Sequence, residues 1–228
     1  MKEPEPAPRR TVVNADAIAW LKEPRSFALC SFVTSLPDVS ELSLSLADWK
    51  KWFVEAAALV MSRCPEEGVA IFFQTDIKQG GAWVDKGLLC QKAAERSSMR
   101  QLFHKIVCRR PPGTVTFGRP AYAHLLAFAS KIELDSSHSC ADVLADGGPV
   151  AWTRGMGTEA CKLACRFVRE QTLCRTVVDP FCGKGTVLAV ANSLGLDAVG
   201  VELCRKRARH AQRLSLEALE TKMMTRTG

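Results

Sequence analysis

The residues of this chain best suited to chemistry are Asp179, Phe181, Cys182, Gly183, Gly185 and Thr186 in the stretch DPFCGKGT, with Glu202 following in VGVE. A strand end carrying an acid, then a glycine turn, then a helix start is a common opening for a cofactor site, because glycine lets the backbone approach a ligand. A phosphate loop requires GxxxxGK and then Ser or Thr. Here Val178 stands at the first glycine position and Gly185 follows Lys184. A dinucleotide fingerprint requires GxGxxG, but Leu188 stands at its third glycine, and Asp179 would repel a pyrophosphate.

S-adenosylmethionine fits these residues better, since it carries an ammonium group, a ribose with two free hydroxyls and an adenine, and no phosphate. Asp179 can face its amino-acid end, while Gly183 and Gly185 keep Cβ atoms out of the approach. Glu202 ends the next strand at the spacing of about 20 residues expected of an acid that accepts both ribose hydroxyls.

The elements that must position these residues are legible from periodicity. RTVVDP reads as a strand, FCGKG as a turn, TVLAVANSLG as a helix, DAVGVE as a strand, and a basic helix ends the chain. Upstream, TVVNADAIAWL gives a short strand ending near Asn14. Phe27 to Val33 gives a second strand that stops at Ser35-Leu36-Pro37-Asp38, where proline ends ladder pairing. Leu46 to Ser62 reads as a helix with Trp49, Trp52, Phe53, Ala56 and Leu59 on one side, the two tryptophans being expected in the core. VAIFFQTD is a buried strand ending in the polar Gln74, Thr75 and Asp76, Gly80-Gly81 marks a loop, and Leu88 to Ser98 is helical.

Two further strands, HKIVCRR and AHLLAFAS, place His104 and His124 in packed positions. The linker PPGTVTFGRPAY between them is too long for a tight turn, which makes it a candidate functional loop flanked by Arg109, Arg110 and Arg119. Asp135 to Trp152 is irregular, and Gly157 to Gln171 has helical spacing. Strands alternating with helices specify a layered α/β domain with a mainly parallel sheet.

A 25.0 kDa chain with 47% hydrophobic residues has enough apolar material for one core. The polar, proline-rich residues 1–10 read as a disordered segment, and 11–228 as one domain. No apolar run reaches the length of about 18 residues that spans a bilayer, so a cytoplasmic protein with no membrane association is expected. The ten cysteines are expected reduced and packed; Cys161 and Cys165 fall four apart on a helix, and the spacings give no metal site. The net charge of +7 is uneven: seven basic residues (Arg205, Lys206, Arg207, Arg209, Arg213, Lys222, Arg226) face only Glu217 and Glu220 after Leu203. Such a helix can meet phosphates or serve as a solvated face.

DPFCGKGT followed by VGVE resembles the cofactor motifs of class I S-adenosylmethionine-dependent methyltransferases, and the DPFCGxGT form resembles those that modify amino groups of nucleic acids. The resemblance extends over most of the chain. NADAIAWL resembles the third-strand motif, with Asp16 matching the acid that accepts the adenine amino group. TSLPD resembles the catalytic motif, Asp, Asn or Ser followed by Pro-Pro and an aromatic; Ser35 and Pro37 keep the first and third positions, and the second proline and the aromatic are missing. The segment ADVLADGGPVAWTRGMGTEACKLACRFV resembles the one preceding the cofactor motif in circularly permuted amino-methyltransferases, which places Trp152 and Met156 near the cofactor.

The resemblance implies a Rossmann-like three-layer sandwich whose mainly parallel seven-stranded sheet has one antiparallel strand, in permuted order. Residues 11–130 would form the catalytic half and 131–228 the cofactor-binding half. It implies S-adenosylmethionine as cofactor, no metal, and Ser35, Pro37 and Asp38 as catalytic residues. Ser35 and the Pro37 carbonyl would hold the acceptor's N–H or O–H, with Asp38 as a base, a site for a cationic acceptor, or simply a turn residue. The acceptor is expected to be a nucleic acid nitrogen, met by the basic helix and the arginine-flanked loop. Methylation of a small molecule or protein side chain, and a non-catalytic binding module, remain open.

Overall fold

The computed structural model describes residues 7–152 and 154–224, with the backbone alone for 222–224. Its strands are β1 (Arg10–Val13), β2 (Cys30–Thr34), β3 (Ala70–Gln74), β4 (Ile77–Gln79), β5 (Ala82–Val84), β6 (Arg100–Cys108), β7 (Tyr122–Ala129), β8 (Val143–Leu144), β9 (Thr176–Asp179) and β10 (Asp197–Val201). Its helices are α1 (Ala17–Lys22), α2 (Leu46–Arg63), α3 (Lys86–Arg96), α4 (Thr158–Gln171), α5 (Thr186–Ser193), α6 (Arg205–Arg213) and α7 (Leu216–Met224).

One sheet runs in the order β1-β10-β9-β2-β3-β7-β6-β8. Strand β7 lies antiparallel to both β3 and β6, and every other pairing is parallel. The late strands β9 and β10 thus sit between the two earliest, β1 and β2. Alternate residues of the central strands face opposite layers, as the period of two requires. Phe32, Ala70, Phe72 and Leu126 pack with α1, α2 and α3, whereas Val33, Ile71, Phe73 and Leu125 pack with α4 and α5. The result is the expected three-layer α/β sandwich.

Several boundaries differ from the sequence expectation. The sheet has eight strands rather than seven, because Val143–Leu144 in the segment expected to be irregular pairs with Ile106 and Val107. Gly80-Gly81 closes the β4–β5 hairpin, whose three-residue strands are too short to show a period. The second strand begins at Cys30, since Leu29 adopts a φ of 55° and breaks the run from Phe27. The segment expected to be disordered overlaps β1: Arg9 is bound to Asp197, and Arg10 opens the strand. Residues 1–6 lie outside the described residues.

The basic terminal helix is two helices. Arg10 reaches across from β1 and donates to the carbonyls of Ala211 and Leu214 at 3.0 and 2.5 Å, which satisfies the end of α6. Ser215 then caps α7 through the N–H of Ala218. Lys222 and Arg226 carry no described side chain. All ten cysteines are free thiols, and Cys161 and Cys165 are fully buried on α4.

Candidate functional site

The carboxyl ends of the parallel strands open into one cleft, the usual ligand edge of an open α/β sheet. It has about 1400 Å³ of empty space, counting the part open to solvent. Asp16, Ser35, Pro37, Asp38, Trp152, Met156, Asp179, Phe181, Cys182, Gly183, Thr186 and Glu202 all line it.

At one end stands Asp179, only 4% exposed at the tip of β9. Its Oδ1 accepts from the Thr34 hydroxyl at 2.7 Å and from the Phe181 N–H at 3.2 Å. Burial pushes its carboxyl up to about 7, more strongly than these two hydrogen bonds pull it down, and the nearby Glu202 adds to the rise. A buried acid poised in this way favours a cationic ligand, which would hold it ionised.

The glycine turn divides its labour. A Cβ on Gly183 would meet nothing closer than the Trp152 ring at 3.5 Å, so this glycine, with φ 54°, presents bare backbone to the cleft. Gly185 serves packing instead: its φ is 85° and a Cβ would lie 2.7 Å from the Ala211 Cα of α6. It lies outside the cleft lining, contrary to the expectation that both glycines face a ligand. Thr186 opens α5, and burial pushes the Cys182 thiol up, keeping it an inert packing group.

Glu202, at the end of β10, accepts on Oε1 from the Cys204 N–H at 2.7 Å and from Arg207 Nε at 2.9 Å. Every one of its described bonds falls on that oxygen. Asn14 ties the same strand end to β1 by donating to the Glu202 and Leu203 carbonyls. Asp16 lines the cleft while capping α1 through the Ala19 N–H. Trp152 faces Gly183 and stands 5.6 Å from the Arg207 guanidinium carbon.

The other end is built around Asp38, whose two oxygens are both engaged. Oδ1 pairs with Lys86, and Oδ2 accepts from Arg119 at 2.8 Å. Both carboxylate oxygens of Asp38 thus already carry cationic partners. Its N–H is held by Glu41, which in turn pairs with Arg154. The Pro37 carbonyl accepts from the Trp49 indole at 3.2 Å, and a carbonyl oxygen has a second lone pair to offer. Ser35 is half-buried beside it.

Of the polar end of β3, Gln74 and Thr75 line the cleft and Asp76 does not. The Gln74 amide nitrogen is buried with no hydrogen-bond partner among the described residues, in a residue that borders the cleft. Asp76 organises the hairpin: its oxygens accept from the Lys86 N–H and the Trp83 indole, at 2.8 and 2.9 Å. His124 Nε2 lies 3.0 Å from Asp76 but out of hydrogen-bond alignment, so it counts as an ion-pair contact only when protonated. Asp76, Asp85 and His124 bring ligand-type atoms within 4.8 Å of one another. Hydrogen bonds from Lys86, Trp83 and Leu88 already occupy the two acids.

The structure corrects three further expectations. Trp52 is half-buried and lines the cleft against Phe181 rather than lying wholly in the core. His104 is exposed, bonded through Nε2 to His124 at 2.8 Å. Arg109 and Arg119 line the cleft, but Arg110 does not. Sequence reasoning missed Lys86, 2% exposed, and Glu41 and Arg154, because only the fold brings these elements together. On α6, Arg205, Lys206, Arg209 and Arg213 face solvent, and Arg207 turns inward to Glu202.

No protein-family model and no curated protein matches this sequence. Solved structures do. The chain is similar to TTHA0409 of Thermus thermophilus, assigned as a DNA modification methylase, at 19% identity and TM-score 0.67, covering 90% of this chain and 92% of that one. It is similar to the PvuII DNA methyltransferase, cytosine-N4-specific, at 12% identity and TM-score 0.69, covering 97% and 94%. It is also similar to M1.HpyAVI with S-adenosylmethionine bound, at 12% identity and TM-score 0.59, covering 91% and 100%. These likenesses establish that the chain has the Rossmann-like methyltransferase fold.

Proposed function

We propose that this protein is an S-adenosylmethionine-dependent methyltransferase whose acceptor is a nitrogen of a nucleic acid. The observation that carries the reading is the placement of Asp179 and Glu202 at the ends of neighbouring strands, of the bare Gly183 turn after Asp179, and of Ser35 and Pro37 just past the end of the adjoining strand β2, all lining one cleft. The residues fit the cofactor: Asp179 is a buried acid with no cation on it among the described residues, Gly183 leaves an open cradle, and Glu202 has its described bonds on a single oxygen. The cofactor would supply an electrophilic methyl group on a sulfonium.

The chain's own residues would bind, orient and exclude water. Asp179 would hold the ammonium, Glu202 the ribose hydroxyls and Asp16 the adenine amino group. Thr186, Phe181, Cys182, Trp152 and Met156 would wall the pocket. The acceptor's N–H would donate to the remaining lone pair of the Pro37 carbonyl and to Ser35, aligning the nitrogen for in-line attack. As the new nitrogen–methyl bond forms and the methyl–sulfur bond breaks to leave a neutral thioether, the nitrogen would shed its proton along the Ser35 hydroxyl to water at the open side of the cleft. Gln74 would donate its unpartnered N–H to a neighbouring acceptor atom of the same group. Asp38 would set the shape of this end through Lys86 and Arg119 rather than take a proton.

The sheet order supports a circular permutation: counted from β9 as first strand, it reads 3-2-1-4-5-7-6, with β8 added at the edge. The acceptor class is supported by the solved relatives that act on DNA, by the exposed basic residues of α6 and by Arg109 and Arg119 at the cleft. We place the protein in the cytoplasm, as one domain; among the described residues no helix is long and apolar enough to cross a membrane.

Incubation with methyl-labelled cofactor and separate pools of RNA, DNA, protein and small molecules tests the acceptor. Label is expected in a nucleic acid pool. Label confined to protein or small molecules would overturn that part of the reading.

A further inference from the structure

The segment Ser35-Leu36-Pro37-Asp38 carries no aromatic of its own, and the aromatics of the cleft, Trp52, Phe73, Phe181 and Trp152, line its interior, whereas the loop between β6 and β7 presents one to solvent. Phe117 is 104% exposed and Val115 is 97% exposed, the two most exposed of the large apolar side chains among the described residues. A single exposed apolar residue is ordinary. These two differ in how they are held and where.

The loop is built rather than slack. At its base, the Arg109 and Arg110 N–H groups both donate to the Ala121 carbonyl, at 2.6 and 3.1 Å. On one side of the tip, Thr114 closes a turn onto the Pro111 carbonyl through its N–H and its hydroxyl, at 3.1 and 2.7 Å. On the other side, the Arg119 N–H returns to the Phe117 carbonyl at 3.1 Å across Gly118, whose φ of 86° only glycine adopts without strain. Residues 115–117 form the tip between these turns. The side chain of Arg119 runs the other way, into the cleft and onto Asp38. Phe117 therefore stands two residues from a cleft-lining group, a chain reach of at most about 7 Å. Exposed Arg110 adds positive charge at the same loop.

We propose that Phe117 is a stacking platform for an unpaired nucleotide at the mouth of the cleft, with Arg110 meeting its phosphate. An exposed ring beside arginines matches the flat face and charged backbone of a single strand, whose bases stack on aromatics without regard to sequence. In a duplex the base faces are already covered. This inference rests on the nucleic-acid reading of the site and assigns an aromatic contact outside the cleft, for the strand that leads to it.

Full-length protein is titrated into fluorescein-labelled mixed-sequence single-stranded RNA and DNA, and into the matching duplexes, with anisotropy read at several salt concentrations. Wild type is expected to favour the single strands. Phe117→Ala is expected to weaken single-strand binding about 5- to 150-fold with an unchanged salt slope, and Phe117→Trp to restore it. Arg110→Ala is expected to reduce the slope by about 0.7. Titration calorimetry with S-adenosylmethionine should give the same affinity in all variants, which shows that they are folded. If wild type binds single strands and Phe117→Ala binds them equally, or if duplex is preferred, the inference is overturned and the proposed function stands. If wild type binds neither nucleic acid even at low salt, both fail.

Discussion

The hydroxyl of Thr34, at the end of β2, donates to Asp179, at the end of β9, across 2.7 Å. One hydrogen bond thus joins the strand that leads to Ser35 and Pro37 to the strand that carries Asp179. Burial pushes the Asp179 carboxyl up to about 7. A ligand ammonium requires the ionised form, so binding below pH 7 must release a proton. S-adenosylmethionine affinity should fall as pH drops below 7, by up to about ten-fold per unit. Calorimetry in buffers of different ionisation enthalpy would register the proton. Thr34→Val removes a bond that favours the ionised form, so the fall should begin at higher pH; Asp179→Asn should bind weakly with a flat profile.

Asp38 and Lys86 form a buried pair, with side chains 11% and 3% exposed. Burial also lowers the Lys86 pKa, against the pull of Asp38. Asp38→Asn leaves the ammonium buried without a counter-charge and should cost about 3–5 kcal/mol in urea unfolding. The double variant Asp38→Leu with Lys86→Met should regain most of that stability without regaining methyl transfer. A stable Asp38→Asn would show that the pair is not buried as described.

The two glycines of the turn should separate under mutation. Gly185→Ala forces a Cβ against α6 at positive φ and should destabilise the fold by about 2–4 kcal/mol. Gly183→Ala meets only an ordinary contact with Trp152, so its cost to the fold should be confined to left-handed backbone strain of about 1–2 kcal/mol, smaller than that of Gly185→Ala, with weaker cofactor binding in addition. Thermal unfolding and calorimetry on both variants check the division.

The exposed face of α6 makes a charge prediction. Replacing Arg205, Lys206 and Arg209 by Ala should lower the salt slope of single-strand binding by about 0.7 for each phosphate that these side chains neutralise. An unchanged slope would mark α6 as a solvated face.

How much of this was legible in sequence depended on how local each signal is. Asp179, Gly183 and Glu202 announce themselves because a strand, a turn and a helix contiguous in the chain fix their relation. The three layers follow from the same alternation. Lys86 carried no such signal: it meets Asp38 only because α3, packed against α2, β3, β6 and β7, brings its first residue beside the segment that follows β2. The role of Gly185 depended on where α6 crosses, and the break between α6 and α7 on a guanidinium from β1. Short elements such as β8 and the β4–β5 hairpin hold too few residues for a period.

The central claim is that the cleft between β1, β10, β9 and β2 is a cofactor site, and the most direct measurement is calorimetric titration of S-adenosylmethionine at pH 8. The wild type should bind at one site per chain. Binding should be about 10- to 100-fold weaker in Glu202→Ala, from the loss of charge-assisted hydrogen bonds to the ribose. No heat from the wild type, or equal affinity in Glu202→Ala and Asp179→Asn, would contradict it.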